Sequence, residues 1–189
     1  MTVFHYDFFY KKIKFWILCN RLGPDIPLSH LLLYSRRLGR MICKRKFKSF
    51  GNNSFFRPFA YAIETQKIAI GDNVVIRPGT MLFASPYGEE KKLHILIEDD
   101  VLIGSSVHIY VSNHNFFDIT LPISKQGHSV VKPVILKKGC WIGANVTILP
   151  GVVVGENSVV GANSVVTKSI SPFTVVAGNP AKIIKKLNE

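Results

Sequence analysis

The sequence predicts an all-β solenoid, a chain wound into stacked coils of parallel strand. Two features of a repeat and one of its interruptions predict it. An aliphatic residue recurs at every sixth position through three series; Asn or Gly often follows three residues later, and a small or β-branched residue four later. The series are separated by two gaps whose lengths are not multiples of six. A six-residue unit does not fit the 3.6-residue period of an α-helix and is too short for a hairpin of its own. One short strand and one corner, repeated, stack as parallel coils about 4.8 Å apart. A β-sandwich would show a period of two with irregular turn spacing instead.

Residues 1–49 precede the repeat as a basic extension. They hold eleven Lys and Arg against Asp7 and Asp25, which accounts for +9 of the chain's net +12. "FFYKKIKFWILC" mixes aromatics with lysines. After "GPDIP", the residues Leu28, Leu31, Leu32, Leu38, Met41 and Ile42 fall on one helical stripe, with Arg36, Arg37, Arg40, Lys44 and Arg45 largely elsewhere. The extension is expected to be helical. Three roles stay open for it: capping the end of the coil, which solenoids require, lying on an anionic membrane surface, or making oligomer contacts. No nucleic-acid recognition motif is present, so nucleic acid is not an expected partner. His5 and His30 read as structural or exposed.

The coil is expected over residues 50–171, starting at "FGNNSFF" as a worn first hexad. The aliphatic series run Ile70, Ile76, Leu82; Ile97, Ile103, Ile109; and Leu136, Ile142, Ile148, Val154, Val160, Val166. Asn73, Gly79, Gly139, Asn145, Gly151, Asn157 and Asn163 supply corners, because Asn and Gly tolerate the left-handed backbone conformation. Val74, Thr80, Val101, Val107, Cys140, Val146, Val152, Ser158 and Ser164 are expected to point inward. The first interruption holds Ser85 and His94. The second begins after Ile109, in the strand that contains His108. Asn113 takes a position that elsewhere holds a small inward residue. His114 follows, at the root of an extruded loop over about 114–133 that also contains His128. Trp141 is expected to shape a groove and Cys140 to be a small core residue. Residues 172–189 are expected to form a tail in which Pro180 starts a short helix.

Composition narrows the class. The chain has 189 residues and is 47% hydrophobic, enough for one sizeable core. No apolar run reaches the roughly 18 residues that span a bilayer. The N-terminus lacks the order of a secretory signal. Three widely spaced cysteines argue against a disulfide framework or a CxxC zinc site, so a cytoplasmic location is expected and no metal.

"WIGANVTILPGVVVGENSVVGANSVVTKSI", followed by "AGNPAKII", resembles the hexapeptide-repeat acyltransferases. The resemblance covers roughly residues 64–187 and lies nearest the galactoside, maltose, nodulation-factor and cell-surface polysaccharide O-acetyltransferases. It implies a left-handed parallel β-helix with three hexapeptides per coil, a homotrimer, and acetyl-CoA as co-substrate in the groove between subunits. The handedness comes from the resemblance alone, since most parallel crossovers are right-handed. It also implies that His114 is the catalytic base. The chemistry agrees: a sugar hydroxyl is a poor nucleophile near pH 7, and a neutral imidazole can take its proton. Matched onto the family motif, Ala144 and Ala162 give backbone contacts to the pantetheine arm. Thr167 and Lys168 approach the nucleotide end, and Lys182 and Lys185 the phosphates. Asn113, Ser85 and His128 are candidates for binding the acceptor. One departure leaves that acceptor open: where the galactoside-type enzymes have an asparagine ahead of the histidine, this chain reads "MLFASPYGEEKK". The acceptor is a free sugar, a nucleotide sugar or a lipid-linked glycan, and cell-surface polysaccharide synthesis is the expected setting. Two other readings stand beside this one, N-acetylation of an amino-sugar nucleotide and a non-catalytic β-helix scaffold. A γ-class carbonic anhydrase would need a histidine spacing that is absent.

Overall fold

The structure, a computed structural model, describes residues 3–89 and 92–187. Helices α1 (Val3–Leu18), α2 (Pro27–Leu32) and α3 (Arg36–Lys46), with the short strand β1 (Arg21–Leu22), precede the coil. The first turn of the coil is β2 (Ser49–Phe50), β3 (Phe55–Phe56) and β4 (Tyr61–Ile63). The second is β5 (Ile68–Ile70), β6 (Val75–Ile76) and β7 (Met81–Phe83). The third is β8 (Ile95–Ile97), β9 (Leu102–Ile103) and β10 (His108–Tyr110), and the fourth β11 (Val134–Leu136), β12 (Trp141–Ile142) and β13 (Thr147–Ile148). Strands β14 (Val153–Val154), β15 (Val159–Val160) and β16 (Val165–Val166) make the fifth turn, and β17 (Thr174–Ala177) and β18 (Lys182–Lys186) end the chain. From β2 to β16 every third strand joins the same parallel sheet, and β17 then extends the sheet of β15. The three sheets run β4-β7-β10-β13-β16, β2-β5-β8-β11-β14 and β3-β6-β9-β12-β15-β17. This three-sided architecture is consistent with a left-handed β-helix.

The hexad explains the sides and the corners. Its aliphatic residues, from Ile70 to Val166, are at most 3% exposed and stack along the axis. Each such burial stabilises the coil by about 1.5–3 kcal/mol. The i+3 residues make the corners: Asn73, Asn145, Asn157, Asn163, Gly79, Gly139 and Gly151 all have positive φ, as do Asp100 and Ser106 in the same register. Their side chains form ladders between coils, with Asn73 Nδ2 donating to Asp100 Oδ1 at 2.8 Å and Asn145 Nδ2 to Asn163 Oδ1 at 3.1 Å. Small polar residues at i+4 satisfy corner amides from inside. Ser158 Oγ accepts from the Thr174 N–H at 3.1 Å and donates to the Ser171 carbonyl at 2.7 Å. Cys140 is fully buried, and burial pushes its thiol pKa up to about 12, which suits a packing residue and not a nucleophile.

The structure corrects the tail. Lys182–Lys186 is a strand and not a helix: β18 turns back through Gly178 (φ +103°) and pairs antiparallel with β17. The last coil leaves β17 with an unpaired edge, and the backbone of the tail satisfies it. The leucine stripe of the extension also divides. Ser35 caps α3, accepting from the Leu38 N–H at 3.4 Å, so the chain is re-phased between α2 and α3. Ile42 is buried, whereas Leu31, Leu38 and Met41 are exposed.

The extension is tied to the coil. β1 pairs antiparallel with β4, and α3 buries Gly39, Ile42, Cys43 and Lys46. Lys46 Nζ reaches the end of α1, donating to the carbonyls of Cys19 at 2.8 Å and Trp16 at 3.2 Å. A cation on the last carbonyls of a helix is a favourable cap.

Candidate active site

The coil lets the chain go slightly before the residue the repeat points to. Val111 is still buried, but Asn113 is exposed and does not fill the inward position. From there the chain forms a twisted hairpin. The Ser129 N–H donates to the Asn113 carbonyl at 2.8 Å, and the Asn115 N–H to the Gly127 carbonyl at 3.0 Å. His114 and His128 pair across this stem, which sets their rings 4.4 Å apart, centroid to centroid. Asn115 Nδ2 locks the stem, donating to the carbonyls of Gln126 and His128 at 3.1 Å each.

The other interruption folds against this one. Its Ser85–Tyr87 segment, Tyr110 and Phe83 enclose a cavity of about 480 Å³ together with Asn113, His114 and His128. Tyr87 packs on His128 at 4.9 Å, and Phe83 and Tyr110 stack at 5.0 Å to make an aromatic wall. All four candidates that the sequence points to for chemistry and acceptor binding therefore meet in one cavity. Its aromatic faces and polar edges suit a sugar.

Sequence reading missed the residues that hold this lip. Lys67, 6% exposed, donates from Nζ to the carbonyls of Ser85 at 2.9 Å and Pro86 at 3.2 Å. His94, 1% exposed, accepts the Ser85 N–H on Nδ1 at 3.2 Å. Burial, aided by Lys67 and Lys92, lowers the His94 pKa, in keeping with a neutral ring that can accept. The missed signal was positional. Lys67 and His94 each stand three residues before an aliphatic position, on adjacent coils, and the His94 N–H donates to the Lys67 carbonyl at 2.8 Å.

A second concavity, of about 640 Å³, runs over the β3 sheet. Its floor includes Val75, Leu102 and Trp141, and its wall holds Ala144 and Ala162. Successive corners stack there closely. A Cβ on Gly104 would come within 2.5 Å of the Ala144 nitrogen, and one on Gly143 within 2.6 Å of the Ala162 nitrogen, so only glycine lets these coils approach. The Ala144 carbonyl accepts from Asn163, but the N–H groups of Ala144 and Ala162 donate to no protein acceptor among the described residues. Two free amides beside an apolar floor can take an amide-bearing chain such as pantetheine. The next rung is Ala177, which contacts Gly161 and pairs with Lys182; Lys185 lies further along the same strand, opposite Val175. Thr167 and Lys168 are exposed on a different corner, after β16, outside this concavity in the single chain. No group of three or more His, Cys, Asp or Glu side chains among the described residues could hold a metal ion.

A three-sided hexad coil with an extruded histidine loop defines the class as a hexapeptide-repeat transferase. Residues 133–168 match the family model "Bacterial transferase hexapeptide (six repeats)". The chain is 33% identical over 189 residues to an Escherichia coli protein described as "Putative lipopolysaccharide biosynthesis O-acetyl transferase WbbJ", covering 94% of each chain. It is 32% identical over 148 residues to the galactoside O-acetyltransferase of Escherichia coli, covering 78% of this chain and 68% of that one. Among solved structures, a hexapeptide-repeat acetyltransferase of Vibrio cholerae complexed with acetyl coenzyme A superposes with a TM-score of 0.73 at 30% identity, covering 85% of this chain and 84% of that one. The chain belongs to the hexapeptide-repeat acetyltransferase family.

Proposed function

We propose that this protein transfers an acetyl group from acetyl-CoA to a hydroxyl of a sugar in cell-surface glycan synthesis. The observation that carries this reading is the meeting of His114, Asn113, His128 and Ser85 in one sugar-sized cavity. In this mechanism the His114 imidazole takes the proton of the acceptor hydroxyl as its oxygen adds to the thioester carbonyl. As the carbon–sulfur bond breaks, the same imidazole returns the proton to the departing sulfur, leaving an ester and a free thiol. Backbone donors beside the thioester hold the negative charge that builds on the carbonyl oxygen. The Ala144 and Ala162 amides hold the pantetheine arm. Lys182 and Lys185 at the end of the β3 sheet, with Thr167 and Lys168, meet the nucleotide and phosphates.

A homotrimer completes the site. The hairpin leaves Phe117, Ile119 and Val130 at least 80% exposed, an apolar tip that a neighbouring subunit would cover. Similarity over 94% of both chains to a relative described as a putative lipopolysaccharide biosynthesis O-acetyl transferase favours a polysaccharide or its lipid-linked precursor over a free disaccharide.

The experiment measures thiol release from acetyl-CoA against free sugars, nucleotide sugars and lipid-linked glycans, then the lability of the product to alkali. Acceptor-dependent thiol release with an alkali-labile ester supports the proposal. An alkali-stable amide overturns it in favour of N-acetylation, and no release with any acceptor in favour of a scaffold.

A further inference from the structure

Helices α2 and α3 contain no acidic residue, reading "PLSHLL" and "RRLGRMICKRK". α3 packs on the coil with one side only. Its opposite side exposes Arg37, Arg40, Met41, Lys44, Arg45 and Leu38. Tyr34 lines a cleft with Arg36 and Arg40, and Leu31 on α2 is also exposed, at 62% and 65%. Two clefts flank α3. One, of about 420 Å³, lies among Tyr34, Arg36, Arg40 and Arg57; the other, of about 590 Å³, among Arg36, Arg37, Arg40, Met41 and Lys44. Arg36 and Arg57 both stack on the Phe55 ring, at 5.1 and 5.2 Å.

None of these cations forms an ion pair among the described residues; the pairs there use Arg21, Lys92, Lys137 and Lys138. Arg40 donates to the neutral amide oxygen of Asn52, at 2.6 Å. A face of uncompensated guanidinium groups repels a second copy of itself. A nucleic-acid backbone would match the charge but leave Leu38 and Met41 without a partner. A surface that offers both phosphate oxygens and hydrocarbon accommodates every one of these side chains: guanidinium groups bind phosphate, and the apolar side chains enter the headgroup boundary.

We propose that the α2–α3 face docks on an anionic lipid bilayer, through Arg36, Arg37, Arg40 and Lys44 at the headgroups with Leu38 and Met41 inserted between them. The docking is peripheral, since no helix of the described residues is long and apolar enough to cross a membrane. Several copies in one oligomer would multiply a weak single contact into stable residence. This inference does not depend on acetyl transfer.

The test is co-sedimentation of the full chain with phosphatidylserine–phosphatidylcholine vesicles and with phosphatidylcholine vesicles, at low and high salt. Two variants, Arg37→Glu with Lys44→Glu and Leu38→Ser with Met41→Ser, change only exposed positions; light scattering verifies their assembly. The wild type should sediment with anionic vesicles at least about tenfold more than with neutral ones and lose that excess in high salt. Each variant should fall by about tenfold while keeping the wild-type particle size. Equal sedimentation with both lipids, or unchanged binding by both variants, overturns the proposal. So does full competition by millimolar inorganic phosphate, which makes the clefts a soluble-anion site, or equal retention on polyglutamate, which makes the partner an acidic protein. Variants that fall apart as oligomers would reassign the face to a subunit contact.

Discussion

The concavity over Leu102 and Trp141 is made of unbroken hexads. It offers backbone N–H groups, small side chains and an apolar floor. The cavity at His114 is made of the two interruptions, set against Phe83 and Tyr110 at the ends of the coil strands they leave, and offers imidazoles, hydroxyls and aromatic faces. A repeat can only present what it repeats, so regular coils suit a donor whose arm is the same in every reaction. Departures from the repeat can place one particular side chain at one particular point, which base catalysis and acceptor choice require. Each side of this comparison can be broken separately.

The largest effect should come from the irregular side. His114→Ala is expected to lower kcat by about 10²- to 10⁴-fold, the range for losing a general base; steady-state thiol release at saturating donor and acceptor measures it. Next is the brace of the lip. Lys67→Met removes the donor from the Ser85 carbonyl, which is buried, and from the Pro86 carbonyl, which water can still reach; the first loss costs about 1–3 kcal/mol. KM for the acceptor should rise by about tenfold and KM for acetyl-CoA stay within about twofold, with partial recovery in Lys67→Arg. A purely structural lysine would shift both constants together or neither.

The regular side should respond more gently. Replacing Lys168 and Lys182 with Ala is expected to raise KM for acetyl-CoA several-fold at low salt and less at about 0.5 M salt, because exposed charges are screened. Acceptor KM is the internal control. The smallest effect concerns pH. The His94 pKa is lowered in the folded protein by burial, Lys67 and Lys92. The unfolded chain therefore binds the proton more readily, and stability present above pH about 6.5 is lost as pH falls below it. His30, also lowered by burial, acts in the same direction. Melting temperatures from pH 7.5 to 5.5 should fall less in His94→Gln than in the wild type, and equal slopes would remove His94 from the account.

Sequence legibility divided along the same line. Inward aliphatics and left-handed corners were readable because each is a local demand repeated many times. The interruptions were readable as places, and His114 and Ser85 could be singled out there. The partners within them were not. Tyr87 meets His128, and Lys67 reaches Ser85, only once separate coils are stacked. The tail failed for a related reason. "KIIKK" has no period strong enough to specify strand or helix, and the free edge of β17 made the choice. The leucine stripe failed because Ser35 starts a new helix that no spacing count could see.

If the two concavities divide the work in this way, donor binding and chemistry are separable. Titration of acetyl-CoA into purified His114→Ala by calorimetry measures this. The prediction is a dissociation constant within about twofold of wild type in a variant whose turnover has fallen at least about a hundredfold. A variant that loses donor affinity in proportion to turnover, or that still turns over normally, would contradict it.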